Sequence, residues 1–320
     1  MPAEAEVILS LENVSKDFKV RNRMLHAVDR VSLEVPHGKT VGLVGESGSG
    51  KSTVGRLGLG LLPATSGQVV FKGQALTKMS SQAIRPLRRA MQLIFQDPQA
   101  SLSPRMTVGG AIYDALSIHN IGTPKERWKR VDALMERVGL SAAMTQAYPF
   151  ELSGGQLQRV GIARALSVGP DLVVCDEPVS ALDVSIQIQI IQLLRELQAE
   201  MNLSYIFISH NLAVVEYLSD VVVVLYLGQV VEQAPAEQLF SRPSHPYTRV
   251  LINSILRVPK PDEPQQKLEA LHGEMPSPFS PPSGCTFHGR CPIAQDICRT
   301  EVPVLRLLED GHTVKCHFAE

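Results

Sequence analysis

The chain has 320 residues, with 31 lysines and arginines against 32 aspartates and glutamates, for a net charge of -1. That balance removes the polyelectrolyte attraction on which most non-specific nucleic-acid binding rests. With 44% hydrophobic and 20% charged residues, the chain reads as an ordinary globular protein whose core needs no cross-linking.

The N-terminus, "MPAEAEVILSLENVSKDF", carries acidic residues where an export signal carries basic ones, and no signal peptide is expected. The longest apolar run, "VVVVLYLG", falls far short of the roughly twenty residues that span a bilayer. The expectation is a cytoplasmic chain, in which thiols stay reduced and disulfides are rare.

Apolar, β-branched runs predict strands over 6–14, 39–45, 67–73, 91–96, 171–178, 203–210 and 220–228. Several are apolar at consecutive positions, as strands buried on both faces are. Helical patterns run over 51–62, 108–119, 124–138, 155–168 and 184–201, so strand and helix alternate and predict an α/β fold with a largely parallel sheet. The stretch 101–151 has helical patterns without a strand and is expected as a helical insert. The basic run "RPLRR" at 85–89 is expected as a solvated helix face. Seven of the 22 prolines fall between 259 and 282, predicting an extended linker over 257–282. A small module over 283–320 follows, holding Cys285, Cys291, Cys298 and Cys316.

"GLVGESGSGKST" places Gly45, Glu46, Ser47, Gly48, Ser49, Gly50, Lys51, Ser52 and Thr53 in P-loop spacing, between a predicted strand and a predicted helix. Glycines let successive N–H groups turn toward phosphate oxygens, with Lys51 reaching the β and γ phosphates and Ser52 binding Mg²⁺. "LVVCDEP" displays Asp176 and Glu177 at the end of a buried strand, the end at which doubly wound sheets bind ligands. Asp176 is expected to hold Mg²⁺ through water, and Glu177 to act as general base toward the attacking water.

"LSGGQ", with Ser153, Gly154, Gly155 and Gln156, resembles the signature of ATP-binding-cassette (ABC) ATPases and stands in that family's order. The resemblance implies a P-loop NTPase fold: a mixed, largely parallel sheet, antiparallel strands at the N-terminus and a helical subdomain within an ABC domain over 1–256. It also implies that the signature faces nucleotide held by a second cassette. Gln96 in "LIFQDP" resembles the residue that senses Mg²⁺ and attacking water, and Asp183 in "SALD" resembles an interface residue of the cassette dimer. His210 in "ISHNL" resembles the histidine that contacts the γ-phosphate; by itself, a histidine after a strand reads as a cap. Phe18 is a candidate for stacking on adenine, or a core residue.

"RPSHPYTRVL", "GEMPSP" and the cysteine module extend the resemblance to ATP-binding subunits of dipeptide, oligopeptide and nickel importers, of the shorter, second-position type. That group implies ATP-driven import across the inner membrane, work at its cytoplasmic face, a homologous ATPase partner, two membrane permease subunits and an extracytoplasmic binding protein. A nickel or metal-chelate importer is the alternative. One cassette, no sustained heptads and near-neutral charge speak against a soluble cassette ATPase acting on ribosomes or DNA.

Three readings fit the cysteines. Cys175, in an apolar strand, suits burial as a small hydrophobe. The other four, separated by five, six and seventeen residues, lack the CxxC pairs usual at structural zinc sites, although four thiolates are also the ligand set of a 4Fe-4S cube. The importer resemblance implies the cluster on Cys285, Cys291, Cys298 and Cys316.

Overall fold

A computed structural model describes residues 6–254, 273–308 and 311–319. Of the expected linker, residues 257–272 lie outside the described residues. The chain folds as two compact units. Among the described residues, one comprises residues 6–8, Val35–Thr40 and Lys72–Ile208; the other comprises Leu9–Glu34, Val41–Phe71 and those from Ser209 onward.

In the first unit, the strands Met91–Ile94, Leu172–Asp176 and Ser204–Ile208 run parallel, with Met91 opposite Leu172 and Asp176 opposite Ile208. Both Leu172–Asp176 and Ser204–Ile208 are buried at all five positions, which is why their sequences run apolar without alternating. The insert forms as helices Val108–Ile118 and Pro124–Arg137 followed by short 3-10 turns, with Tyr113 stacked on Trp128 at 5.0 Å. Thr123 and Glu126 close a reciprocal cap at the start of the second of these helices, at 2.7 and 3.4 Å. The basic run is no continuous helix face: Arg85 ends the short helix Ser81–Ile84, Pro86 follows, and Leu87–Arg89 form a separate 3-10 turn.

In the second unit, Val7–Val20 pairs antiparallel with Ser66–Phe71. A second sheet sets Thr40–Val44 parallel to Val221–Tyr226, so that Val44 lies opposite Val224. A tight turn at Leu227 and Gly228, both at positive φ, returns the chain as Gln229–Pro235. Two short strands near the C-terminus, Thr313–Val314 and Arg306–Leu307, extend this edge. The helix expected over 51–62 ends at Gly58.

Gln229–Pro235 escapes a hydrophobicity reading because Glu232 stands at its centre, fully buried. Its carboxylate accepts the Ser244 and His245 backbone N–H groups at 2.6 and 3.0 Å and pairs with His312 Nε2 at 2.6 Å. Three partners offset the desolvation of one carboxylate. They also tie the "SHPYT" segment and the C-terminal strands to one strand. Removing the carboxylate leaves two amides and an imidazole buried without their acceptor. Glu232→Ala is therefore expected to lower unfolding stability by about 3 kcal/mol in equilibrium chemical denaturation; a change below about 0.5 kcal/mol would contradict this role.

Candidate nucleotide site

The P-loop follows the buried strand Thr40–Val44 in the second unit. Gly45, Gly48 and Gly50 take φ of 145°, 81° and 102°, and two of them also meet other main chain closely. A Cβ at Gly45 would lie 2.2 Å from the Leu225 carbonyl oxygen, and one at Gly50 would lie 2.5 Å from that of Ala27. Gly50 caps the helix Lys51–Gly58 without a side-chain bond, so the cap residue itself supplies no side-chain acceptor to the first turn. That arrangement suits an anion. Ser47 and Gly48 form the exposed crest, and Ser49 is buried with its hydroxyl lacking a hydrogen-bond partner. Lys51, 6% exposed, turns its ammonium back onto the loop and donates to the carbonyls of Gly45 and Glu46 at 2.7 and 2.9 Å.

Glu46 differs from its neighbours. Its N–H donates to Tyr247 Oη at 2.8 Å and its carboxylate receives the guanidinium of Arg290. In the same unit, Phe18 is half-buried with the Lys16 ammonium 5.0 Å from its ring centroid. His210 is exposed after the strand Ser204–Ile208, and the cap of the next helix is Asn211, whose side chain accepts the Ala213 and Val214 N–H groups. The capping reading of His210 thus falls away.

The first unit carries the carboxylates. Asp176 ends its strand at 4% exposure. Glu177 turns into the left-handed region at φ 48°, with its N–H on the Ile208 carbonyl at 3.0 Å. Gln96 Nε2 donates to Glu177 Oε2 at 2.9 Å, which brings together two residues 81 positions apart. In the signature, Ser153 and Gln156 exchange hydrogen bonds at 2.9 and 3.4 Å, making Ser153 the cap of the helix Gly154–Ser167. Gly155 is required by packing, since a Cβ there would approach Ile186 Cγ2 to 2.6 Å. Asp183 caps Val184–Met201; bonds from the Ser185 hydroxyl and the Ile186 amide hold its carboxyl below the usual range.

Cys175 is buried, and desolvation pushes its thiol far up, as an inert core residue. In the C-terminal module, Cys291 is pushed up to about 11 by burial, with Cys285, Cys316 and Cys298 adding to the shift. One of the four sulfurs accepts a backbone N–H from two residues ahead: Cys316 from Phe318 at 3.4 Å. The four thiols are neighbours, but among the described residues no three His, Cys, Asp or Glu side chains are arranged to hold a metal ion. The expected 4Fe-4S cluster thus gains no support from the arrangement of these side chains.

Comparison with known proteins decides the family. The ABC transporter family model matches residues 28–180, and the model for the C-terminal region of oligopeptide/dipeptide transporters matches residues 231–298. A putative peptide import ATP-binding protein of Brucella ovis is 50% identical over 310 residues, covering 97% of both chains. This chain belongs to the ABC transporter family, in its oligopeptide/dipeptide branch. The oligopeptide transport ATP-binding protein AppF of Bacillus subtilis is 46% identical over 324 residues, covering 99% of this chain and 98% of that one. Among solved structures, the dimeric cassette MJ0796 bound to ADP and phosphate aligns with a TM-score of 0.67 at 29% identity, over 71% of this chain and 98% of its own. CbiO1 of Clostridium perfringens, part of the transporter complex cbiONQ, aligns with a TM-score of 0.65 at 28% identity, over 74% of this chain and 92% of its own.

In this ABC ATPase, sequence reasoning passed over Tyr247 and Arg290, the two partners of Glu46. Both lie inside segments it had singled out, "SHPYT" and the cysteine module, but a single sequence gives no sign that they reach the P-loop. Gly50 supplies a direct test of the loop. Alanine there meets both a positive φ and the Ala27 carbonyl, so Gly50→Ala is expected to weaken MgATP binding at least tenfold by fluorescent-nucleotide titration; unchanged affinity would contradict the geometry.

Proposed function

We propose that this chain is the ATP-hydrolysing subunit of an ABC importer that carries di- and oligopeptides into the cell. The full-length identity to peptide import and oligopeptide transport ATP-binding proteins supports the peptide reading over nickel or metal chelates. The bond from Gln96 to Glu177 supports hydrolysis, because it holds the carboxylate of the general base in place. Glu177 takes a proton from water as that water attacks the γ-phosphorus and the bond to the ADP oxygen breaks. The P-loop amides from Ser47 to Thr53 and Lys51 cradle the phosphates, Phe18 stacks on adenine, and His210 contacts the γ-phosphate. Ser52, Asp176 and Gln96 would hold Mg²⁺ through their side-chain oxygens, and the ion would neutralise charge on the β and γ phosphates.

Ser153, Gly154, Gly155, Gln156 and Asp183 serve the nucleotide of a second cassette, so the working unit pairs this chain with a homologous ATPase subunit around two shared ATP sites. The dimeric state of the related cassette MJ0796 supports that pairing. ATP bound across the interface favours the closed pair and drives two membrane permease subunits to a new orientation; hydrolysis resets them. The helical insert over 101–151 receives the permeases, and an extracytoplasmic binding protein delivers the peptide. The chain works peripherally, at the cytoplasmic face of the inner membrane; among the described residues no helix is long and apolar enough to cross a bilayer. The ABC domain spans 1–256, with the linker over 257–282 and the cysteine module over 283–320.

Cys285, Cys291, Cys298 and Cys316 hold a 4Fe-4S cluster that folds this module, in preference to zinc. The N–H···S bond from Phe318 to Cys316 supports this, since such bonds stabilise the negative charge of cluster thiolates.

Glu177→Gln is expected to keep ATP binding while lowering steady-state phosphate release by roughly 10²–10⁴-fold; near wild-type turnover would overturn the assignment. Anaerobically purified protein is expected to hold about four iron and four sulfide per chain and to lose both in Cys291→Ser. Stoichiometric zinc without sulfide would refute the cluster.

A further inference from the structure

Glu46 is a carboxylate set in the middle of a loop built to receive a polyanion. An ionised side chain there opposes ATP through simple Coulomb repulsion, unless a cation answers it. That cation comes from the far end of the sequence. Arg290 Nη1 and Nη2 each lie 3.1 Å from one oxygen of the Glu46 carboxylate, in the bidentate fork that only arginine supplies. The Arg290 side chain is 7% exposed and that of Glu46 is 25% exposed, so solvent screens the pair weakly.

Arg290 is held in place by its surroundings. It ends the 3-10 turn His288–Arg290, fixed by its own N–H on the Phe287 carbonyl at 2.9 Å and by His288 Nδ1 at 2.8 Å from the Cys285 carbonyl. Phe287 packs edge-on against Tyr226 at 5.2 Å and against Tyr247 at 5.4 Å, and Tyr226 meets Tyr247 at 4.9 Å. All three rings are buried. The Arg290 guanidinium lies 5.9 Å from the Tyr226 ring centroid, and Tyr247 also takes the Glu46 N–H. Glu46 is thus held at its amide by one C-terminal residue and at its carboxylate by another. Its carbonyl receives Lys51 Nζ, so the chain of contacts runs from the cysteine module to the phosphate-binding lysine.

We propose that Arg290 is a positioning residue for ATP: by pairing with Glu46 it cancels the carboxylate beside the triphosphate and fixes the first turn of the P-loop. The cysteine module therefore completes the nucleotide site of its own chain. This rests on the P-loop taking ATP and not on what the four thiols hold.

The test is MgATP affinity and ATPase kinetics of the full-length chain in four forms: wild type, Arg290→Ala, Arg290→Lys, and Arg290→Ala combined with Glu46→Gln. Arg290→Ala is expected to raise the Kd for MgATP roughly ten- to hundredfold, the range of charge-assisted hydrogen bonds, with a rise in KM for ATP that exceeds any fall in kcat. Arg290→Lys keeps the charge and loses the fork, and is expected to fall between the two. Adding Glu46→Gln to Arg290→Ala removes the unanswered charge and is expected to recover most of the lost affinity, which a merely structural defect of the tail would not show. Unchanged affinity in Arg290→Ala, or a loss that Glu46→Gln fails to recover, overturns the proposal. A wild-type chain that binds no MgATP would instead overturn the reading of the P-loop itself.

Discussion

The close approach of main chain to main chain beneath the P-loop is the constraint on which the site depends. The carbonyls of Leu225 and Ala27 sit where a Cβ on Gly45 or Gly50 would have to go, and the Gly228 N–H bonds the Ser49 carbonyl at 3.0 Å. The loop is therefore shaped by the hairpin turn at Leu227 and Gly228 and by the strand Arg23–Pro36, and not by its own sequence alone. Because Thr40–Val44 pairs in parallel register with Val221–Tyr226, the strand end, the turn and the loop coincide. The loop's backbone is thus packed from behind by other main chain, with the Lys51 ammonium laid over it on the Gly45 and Glu46 carbonyls.

The C-terminal region is part of that backing. Glu232 gathers the amides of Ser244 and His245 and the imidazole of His312 onto one strand, which sets the helix Pro246–Asn253 beside the loop. His245 caps that helix through Nδ1, accepting the Tyr247 N–H at 3.0 Å, and burial lowers its pKa to about 4, so it stays neutral and keeps its acceptor. Tyr247 then reaches Glu46. One buried carboxylate and one buried imidazole, both costly in isolation, together carry the order of the tail to the first turn of the P-loop.

Much of this was legible in the sequence because it rests on local pattern. The glycines and lysine at 45–51 and the uninterrupted apolar strand before Asp176 each follow from spacing that backbone geometry requires. The helical insert was legible from period, and its observed helices differ from the expected ones by one residue at their C-terminal ends. What stayed hidden are features whose cause is long-range. Gln229–Pro235 does not read as a strand, since its buried Glu232 makes sense only once Ser244, His245 and His312 arrive. The Arg290–Glu46 pair joins residues 244 positions apart, and no local pattern marks either as a partner of the other. The four cysteines were visible as a set, while the N–H···S bond from Phe318 to Cys316 needed the folded turn.

In the proposed function, ATP bound and hydrolysed by this chain drives peptide import. The most direct measurement is uptake of labelled di- and oligopeptides into liposomes holding the complete transporter, with this chain either intact or carrying Lys51→Ala. Uptake is expected to need MgATP on the side of this chain and to fail with Lys51→Ala. Peptide uptake that continues with Lys51→Ala, or ATP-driven uptake of nickel in place of peptides, would contradict it.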